Sequence, residues 1–98
     1  MKEHNWIMGL WKFRDCISLE QLSELAQRWA EDARYLQLYI RRASKDQRAI
    51  GFTYEIQPGE DVESVQRSYF ERTSEALRRS FGNDLTGWDL AATVVVIK

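Results

Sequence analysis

The amino-acid sequence predicts an α+β domain of the ferredoxin-like type, with a four-stranded antiparallel sheet and two helices on one face. Two segments place apolar residues at helical spacing, and four segments show the alternating or continuous apolar pattern of strands. These segments follow one another in the order βαββαβ, which is the split βαβ arrangement. Right-handed crossovers then bring both helices to the same side of the sheet.

The first strand is predicted over residues 5–14, which carry large apolar side chains on both faces. A strand of this composition is covered on both sides or never fully wetted. The alternation separates two sets of side chains but does not say which set faces the helices. One set contains Trp6, Met8 and Leu10, and the other contains Ile7, Trp11 and Phe13.

The first helix is predicted from Leu19 to about Asp32 by a capping box and an amphipathic stripe. Ser18 and Gln21 have the spacing at which the hydroxyl and the side-chain amide each satisfy a backbone amide of the other residue. The expected buried stripe follows at i, i+3 and i+4 spacing and consists of Leu22, Leu25, Ala26, Trp29 and Ala33.

A β-hairpin is predicted next, with strands over residues 34–42 and 49–56 around a short polar connection. The alternative is that the first helix continues from Leu19 to Ser44, since Arg, Leu and Gln are good helix formers. The alternation in the first strand of the hairpin puts Leu36, Leu38 and Ile40 toward the helices, and Tyr35 and Tyr39 on the opposite face.

The second helix is predicted between an N-terminal cap at Asp61 and a C-terminal glycine at Gly82. It follows the clearest break in the chain, at Pro58 and Gly59. Its expected buried stripe consists of Val62, Val65, Tyr69, Thr73, then Ala76 or Leu77, and Ser80 or Phe81.

The last strand is predicted over residues 88–97. Its second half is a β-branched run, which is typical of a central strand. The ferredoxin-like order instead places the first and third strands at the centre and this strand at an edge. Because an exposed apolar edge is an aggregation hazard, we expect something to cover it.

Composition and charge exclude several classes of function. The chain has 98 residues, which fits one domain over residues 1–98, and its net charge of −1 gives no broad attraction to DNA or RNA. One Cys and one His cannot supply a disulfide or a Cys/His zinc site, so neither metal nor other cofactor is predicted. No apolar run approaches a membrane span, and no signal peptide is predicted. The unpaired thiol favours a reducing compartment such as the cytoplasm.

No phosphate-binding loop, nucleophile elbow or metal-ligand spacing occurs in the sequence, which favours a non-catalytic protein. Two carboxylates stand out because each interrupts a largely apolar strand. If Glu55 and Asp89 share the open face of the sheet, either one is a candidate general base or polar group of a pocket. The alternative is that both lie in water near strand ends.

RNA-recognition motifs share this element order and carry an Arg/Lys-Gly-aromatic-Gly-aromatic signature on the third strand. The matching stretch here runs from Arg48 to Glu55. Arg48, Gly51 and Phe52 fit that pattern, but Ile50 stands where a base-stacking aromatic belongs. RNA binding is therefore the third choice.

More large apolar side chains occur on the predicted sheet than two helices on one face can cover. Such a patch usually marks a contact site, and aromatic and Arg side chains are enriched at interfaces. The sequence thus predicts a small interaction or regulatory domain that forms a homodimer or docks as a subunit of a larger complex. A small-molecule-binding or cofactor-free enzyme domain is the alternative. The candidate anchors are Trp11, Tyr35, Tyr39 and three arginines near the hairpin tip, Arg41, Arg42 and Arg48.

Overall fold

The computed structural model describes the backbone of residues 2–97 and the side chains of residues 4–93. Four strands form one antiparallel sheet in the order β2-β3-β1-β4, which confirms the predicted βαββαβ ferredoxin-like topology. In chain order the elements are β1 (Lys2–Arg14), α1 (Leu19–Trp29), β2 (Tyr35–Ser44), β3 (Gln47–Ile56), α2 (Val62–Phe81), a 3-10 turn (Gly82–Asp84) and β4 (Leu85–Ile97).

Both helices lie on one face of the sheet, and the core fills the space between them and the two central strands. The inward set of β1 contains Ile7, Trp11 and Phe13, of which Trp11 is paired with Ile50 of β3. Leu22 and Leu25 of α1 and Tyr69 and Leu77 of α2 close this core from above. The set with Trp6, Met8 and Leu10 therefore faces away from the helices.

The first helix is shorter than predicted. The capping box is present, with the Gln21 amide nitrogen 3.1 Å from the Ser18 hydroxyl. The helix ends at Trp29 because the chain turns at residues 31–34, where the Asp32 carboxylate accepts a hydrogen bond of 2.9 Å from the Arg34 amide. Ala33 is consequently exposed and outside the stripe. A strand follows this turn, so the alternative of one long helix is wrong.

Strand β2 contains a bulge that the alternation could not show. The pairing with β3 shifts between Tyr35 and Gln37, so that Leu36 is an extra residue. Tyr35 therefore points to the helix side and stacks on Trp29, with ring centroids 5.4 Å apart. The prediction that Tyr35 lies on the open face is wrong, as is the one that turns Leu36 toward the helices, because Leu36 is exposed.

The second helix has the predicted ends. The Asp61 carboxylate accepts from the Ser64 amide at 3.0 Å, and Gly82 has a φ of 57°, which favours glycine. Strand β4 begins at Leu85, three residues before the predicted start, and lies at the edge of the sheet. Its apolar composition suggested a central strand, which is wrong. The side chains of its last residues, 94–97, lie outside the described part.

Candidate functional sites: the open sheet face and the interhelical cleft

The face of the sheet opposite the helices, here called the open face, is a grid of four rows. Its register is set by β1, whose outward residues are each paired with one residue of β3 and one of β4. Each row crosses the sheet in the order β2, β3, β1, β4, and the last row has no partner from β2. From one end of the strands to the other, the rows are Arg41–Ala49–Lys12–Gly87, Tyr39–Gly51–Leu10–Asp89, Gln37–Thr53–Met8–Ala91 and Glu55–Trp6–Thr93.

The middle of the open face is apolar. Met8 is 44% exposed and Tyr39 is 42% exposed, and Trp6 and Leu10 beside them are half-buried. Tyr39 lies flat over Gly51, where a Cβ would stand 2.1 Å from the Tyr39 Cζ atom. A side chain at residue 51 would therefore displace the exposed Tyr39 ring from this position. The large side chains thus form a continuous apolar surface.

Charged side chains of both signs surround this apolar middle. Lys12 and Asp89 form an ion pair of 2.9 Å at one end of the face. Arg41 is in the same row as Lys12, and Glu55 is in the row at the opposite end. An apolar centre with a polar rim is the usual anatomy of a protein–protein interface.

The two predicted pocket carboxylates both lie on the open face but are not brought together. Glu55 is paired with Trp6 and Asp89 with Leu10, four residues along β1 and on opposite sides of it. That separation is about 13 Å along the strand alone. Asp89 is bound to Lys12 and its side chain is 71% exposed. The two carboxylates therefore do not form one acid/base pair.

Trp11 is not on the open face. It is fully buried beneath the helices, and its indole nitrogen donates to the Tyr69 hydroxyl at 3.3 Å. The prediction of Trp11 as a surface anchor is wrong because both faces of β1 carry large apolar residues. The large β1 residues on the open face are instead Trp6 and Met8, which belong to the other alternating set of this strand.

The hairpin arginines do not form one basic patch. Arg41 belongs to the open face, whereas Arg42 donates to the carbonyl of Lys45 within the turn at 2.9 Å. Arg48 lies on the helix side and donates to the Asp15 and Ile17 carbonyls at 2.7 and 2.8 Å, holding the loop before α1. These two arginines therefore stabilise turns. Arg34 lies at the other end of β2, paired with Glu60.

A second candidate site lies on the helix side, in a cleft of about 410 Å³ between α1 and α2. Because its residues come from four separate elements, no spacing in the sequence indicated it. The helices supply its walls and β2 and β3 supply its floor. Its lining includes Arg28, Trp29 and Asp32 on the α1 side, Tyr35 and Tyr54 on the floor, and Arg72 on α2.

Hydroxyl groups form a chain beneath this cleft. The hydroxyl oxygens of Tyr35 and Tyr69 are 2.8 Å apart, and that of Tyr69 also accepts from Trp11. Burial raises the pKa of Tyr69 to about 12. It also raises the pKa of Tyr35 far above its ordinary value, helped by the neighbouring Tyr69. Both phenols are therefore neutral hydrogen-bonding groups rather than bases near neutral pH.

Comparison with known proteins gives no family for this chain. Scans of protein-family models, curated proteins and solved structures each found no match. The function must therefore be argued from the two sites themselves.

The single cysteine and the single histidine have simple surroundings. Cys16 is exposed in the loop before α1, and His4 stacks on Trp6 with ring centroids 6.0 Å apart. Within the described residues, His, Cys, Asp and Glu side chains nowhere gather in threes as a metal site would need. Neither described helix is long and apolar enough to cross a membrane.

Proposed function

We propose that this chain is a small non-catalytic interaction domain that forms a homodimer through its open sheet face. The observation that carries the proposal is the apolar centre of that face, with Met8 and Tyr39 each more than two-fifths exposed at 44% and 42%. Water contact with such side chains is unfavourable by about 25 cal/mol per Å² of apolar surface. A partner surface that covers them removes this cost.

A second copy of the chain fits this face better than a strongly charged partner. Within the four rows, the described rim residues are two bases, Lys12 and Arg41, and two acids, Asp89 and Glu55, so these four charges sum to zero. Like surfaces with both signs can pair with themselves across a two-fold axis. Arg41 and Glu55 lie at opposite ends of the face. A two-fold axis that lies in the interface plane, perpendicular to the strands, therefore places Arg41 of one copy above the Glu55 end of the other.

The size of the face predicts a weak dimer. With strands about 4.8 Å apart and a rise of about 3.3 Å per residue, the four rows cover roughly 400 Å² of flat area. Stable interfaces bury about 800 Å² on each partner. The dimer is therefore expected to depend on concentration, so its mass must be measured over a dilution series.

The test is light scattering coupled to size-exclusion chromatography on the full chain and two charge variants. Met8→Glu places a carboxylate in the apolar centre and should yield monomers at every concentration. Leu19→Glu is the matched control, because Leu19 is at least as exposed as Met8, at 52% against 44%, but begins helix α1 on the other side of the sheet. It should leave the mass of the dimer unchanged.

A wild-type chain that stays monomeric at millimolar concentration would overturn the proposal. A Met8→Glu variant that keeps the wild-type mass would do the same, provided that circular dichroism shows it folded. If the monomeric chain instead binds a different protein through this face, the domain is a subunit of a hetero-complex and not a homodimer. The exposed, unpaired Cys16 supports a reducing location such as the cytoplasm for either assembly.

A further inference from the structure

The interhelical cleft has a size and shape suited to a small molecule. Its volume of about 410 Å³ lies within the range of about 300–1,000 Å³ typical of ligand pockets. It is on the opposite side of the sheet from the open face, so the proposed dimer leaves it accessible. It is also open to water, since its helix walls stand apart above the floor of β2 and β3.

Two arginines line this cleft without a carboxylate partner. Arg28 lies on α1 and Arg72 on α2, and neither forms an ion pair with any carboxylate of the described residues. Arg72 makes only a long contact, of 3.4 Å, with the Tyr54 hydroxyl. Among the described arginines only Arg14, Arg34 and Arg79 form an ion pair, so Arg28 and Arg72 share this lack with several exposed arginines elsewhere.

The one carboxylate that lines the cleft does not neutralise them. Asp32 is engaged with the Arg34 amide in the turn after α1, at 2.9 Å. Among the side chains that line the cleft, two guanidinium groups stand against one carboxylate. Glu24 and Glu31 lie near Arg28, and Glu71 and Glu75 near Arg72, outside the cleft lining. Guanidinium groups bind carboxylates in a bidentate geometry, which makes an organic acid the anion that suits them.

The floor and one wall of the cleft are aromatic. Trp29 and Tyr35 stack with ring planes only 8° apart, and Tyr54 meets Tyr35 edge to face with centroids 5.0 Å apart. The Tyr35 hydroxyl is already paired with that of Tyr69, so the floor offers ring surface rather than a free donor. Flat apolar groups are favoured on such a surface.

We infer that the interhelical cleft binds a planar organic carboxylate, with its ring against Trp29 and Tyr35 and its carboxylate between Arg28 and Arg72. The site is independent of the open face, so binding and self-association are separate properties. No reaction is assigned to the site, since the Tyr35 hydroxyl is held by that of Tyr69.

The probe is 2-naphthoate, with 2-naphthamide as the uncharged analogue of the same shape. Isothermal titration calorimetry should give a Kd of about 1 mM or tighter for the acid and at least roughly tenfold weaker binding for the amide. Arg28→Gln and Arg72→Gln should each weaken naphthoate binding about tenfold. Arg67→Gln is the control, since Arg67 is on α2 but does not line the cleft, and it should bind as the wild type does.

Amide chemical shifts of labelled protein locate the ligand, and they should move at Trp29, Tyr35 and Arg72. Equal affinity for acid and amide, or no binding at 1 mM naphthoate, would overturn the inference. Shifts centred on Met8 and Tyr39 would overturn it as well, since the probe would then sit on the open face. Repeating the titration on Met8→Glu separates the two proposals, because the cleft should bind naphthoate whether or not the chain dimerises.

Discussion

At the scale of single residues, the Tyr69 hydroxyl connects the core to the cleft. Its oxygen accepts a hydrogen bond from the buried indole of Trp11 and lies 2.8 Å from the hydroxyl of Tyr35. A buried indole N–H without a partner costs about 1–3 kcal/mol. One hydroxyl therefore satisfies a core donor and fixes a ring of the cleft floor.

Tyr69→Phe should lower the free energy of unfolding by about 1–2 kcal/mol at neutral pH, because Trp11 loses its acceptor. The wild-type stability should also fall as the pH rises from 10 to about 12, since Tyr69 ionises at 10.0 when unfolded but at about 12 when folded. The raised pKa makes this contribution complete below pH 10 and absent above about 12.

Urea denaturation across that pH window checks both effects. The Tyr69→Phe variant should lose less stability over the window than the wild type, with the remaining loss due to Tyr35. Tyr39→Phe serves as the control, because its ring lies on the open face away from this hydroxyl chain. Parallel pH curves for Tyr69→Phe and the wild type would contradict the prediction.

At the scale of elements, the pairing of β1 with β4 depends on a close approach at Gly9. A Cβ at this position would lie 2.0 Å from the carbonyl oxygen of Asp89, which is backbone and cannot swing aside. The two strands can keep their pairing only if the residue in β1 has no side chain.

Gly9→Ala should lower the free energy of unfolding by about 2–3 kcal/mol, because the added methyl forces β4 away from β1. Gly87→Ala is the matched control within the same strand pair. A Cβ there has the Lys12 Cδ as its nearest neighbour, at 4.0 Å, so the change should be about 0.5 kcal/mol or less. Thermal and urea unfolding compare the two variants, and equal losses would contradict this account.

The bulge in β2 shows how one element can change the role of a residue. Without it, Tyr35 would share a face with Tyr39 and add to the open face. With Leu36 inserted, Tyr35 joins Trp29 and Tyr54 on the helix side. A single extra residue thus supplies the aromatic floor of the cleft.

At the scale of the whole molecule, the sheet separates two surfaces of different chemistry. The open face is apolar with charges of both signs at its rim, and the cleft is aromatic with an excess of arginine. Surfaces of these two kinds suit a protein partner and a small acid respectively. Because they lie on opposite sides of the sheet, variants in one leave the other intact.

The proposed two-fold axis predicts that reversing the charges of Arg41 and Glu55 together restores a dimer that either reversal alone weakens. Arg41→Glu should weaken the dimer because the new carboxylate meets the partner's Glu55 end, and Glu55→Arg should weaken it for the same reason with the signs reversed. The double variant Arg41→Glu with Glu55→Arg should recover most of the wild-type association. Sedimentation velocity over a dilution series measures all four chains.

If the double variant is as weak as either single variant, the axis does not run across the strands. Association that is unchanged in all three variants would show that these charges lie outside the interface. Added salt should weaken the wild-type dimer, because it screens the charges of the rim. The effect should be small, since the centre of the interface is apolar.

Much of the fold was predictable because local patterns determine it. The capping box at Ser18, the cap at Asp61 and the glycine at Gly82 each fix a helix end through hydrogen bonds with neighbours in sequence. Alternation located the strands for a similar reason. Helix α1 was predicted to be too long because Ala33 continues the spacing of its apolar residues. The turn that Asp32 stabilises ends the helix earlier.

The sites were less predictable, because alternation along a strand separates two sets of side chains without indicating which set faces the helices. The open face was expected, and Tyr39 and Arg41 lie on it. Trp11 was assigned to it in error, since both faces of β1 are apolar and only packing against α2 buries one of them. The sequence left open whether Glu55 and Asp89 share the open face, and the register that separates them along β1 is a property of strand pairing.

The order βαββαβ and an excess of apolar surface over what two helices can cover were both predictable from the chain alone. Both follow from periodicity and composition, which are local or additive. Packing between distant elements determines that Trp6 and Met8 face outward, that Tyr35 turns inward, and that Arg28 and Arg72 both line one cleft. These facts depend on which distant residues share a space, and that is settled when the helices dock on the sheet.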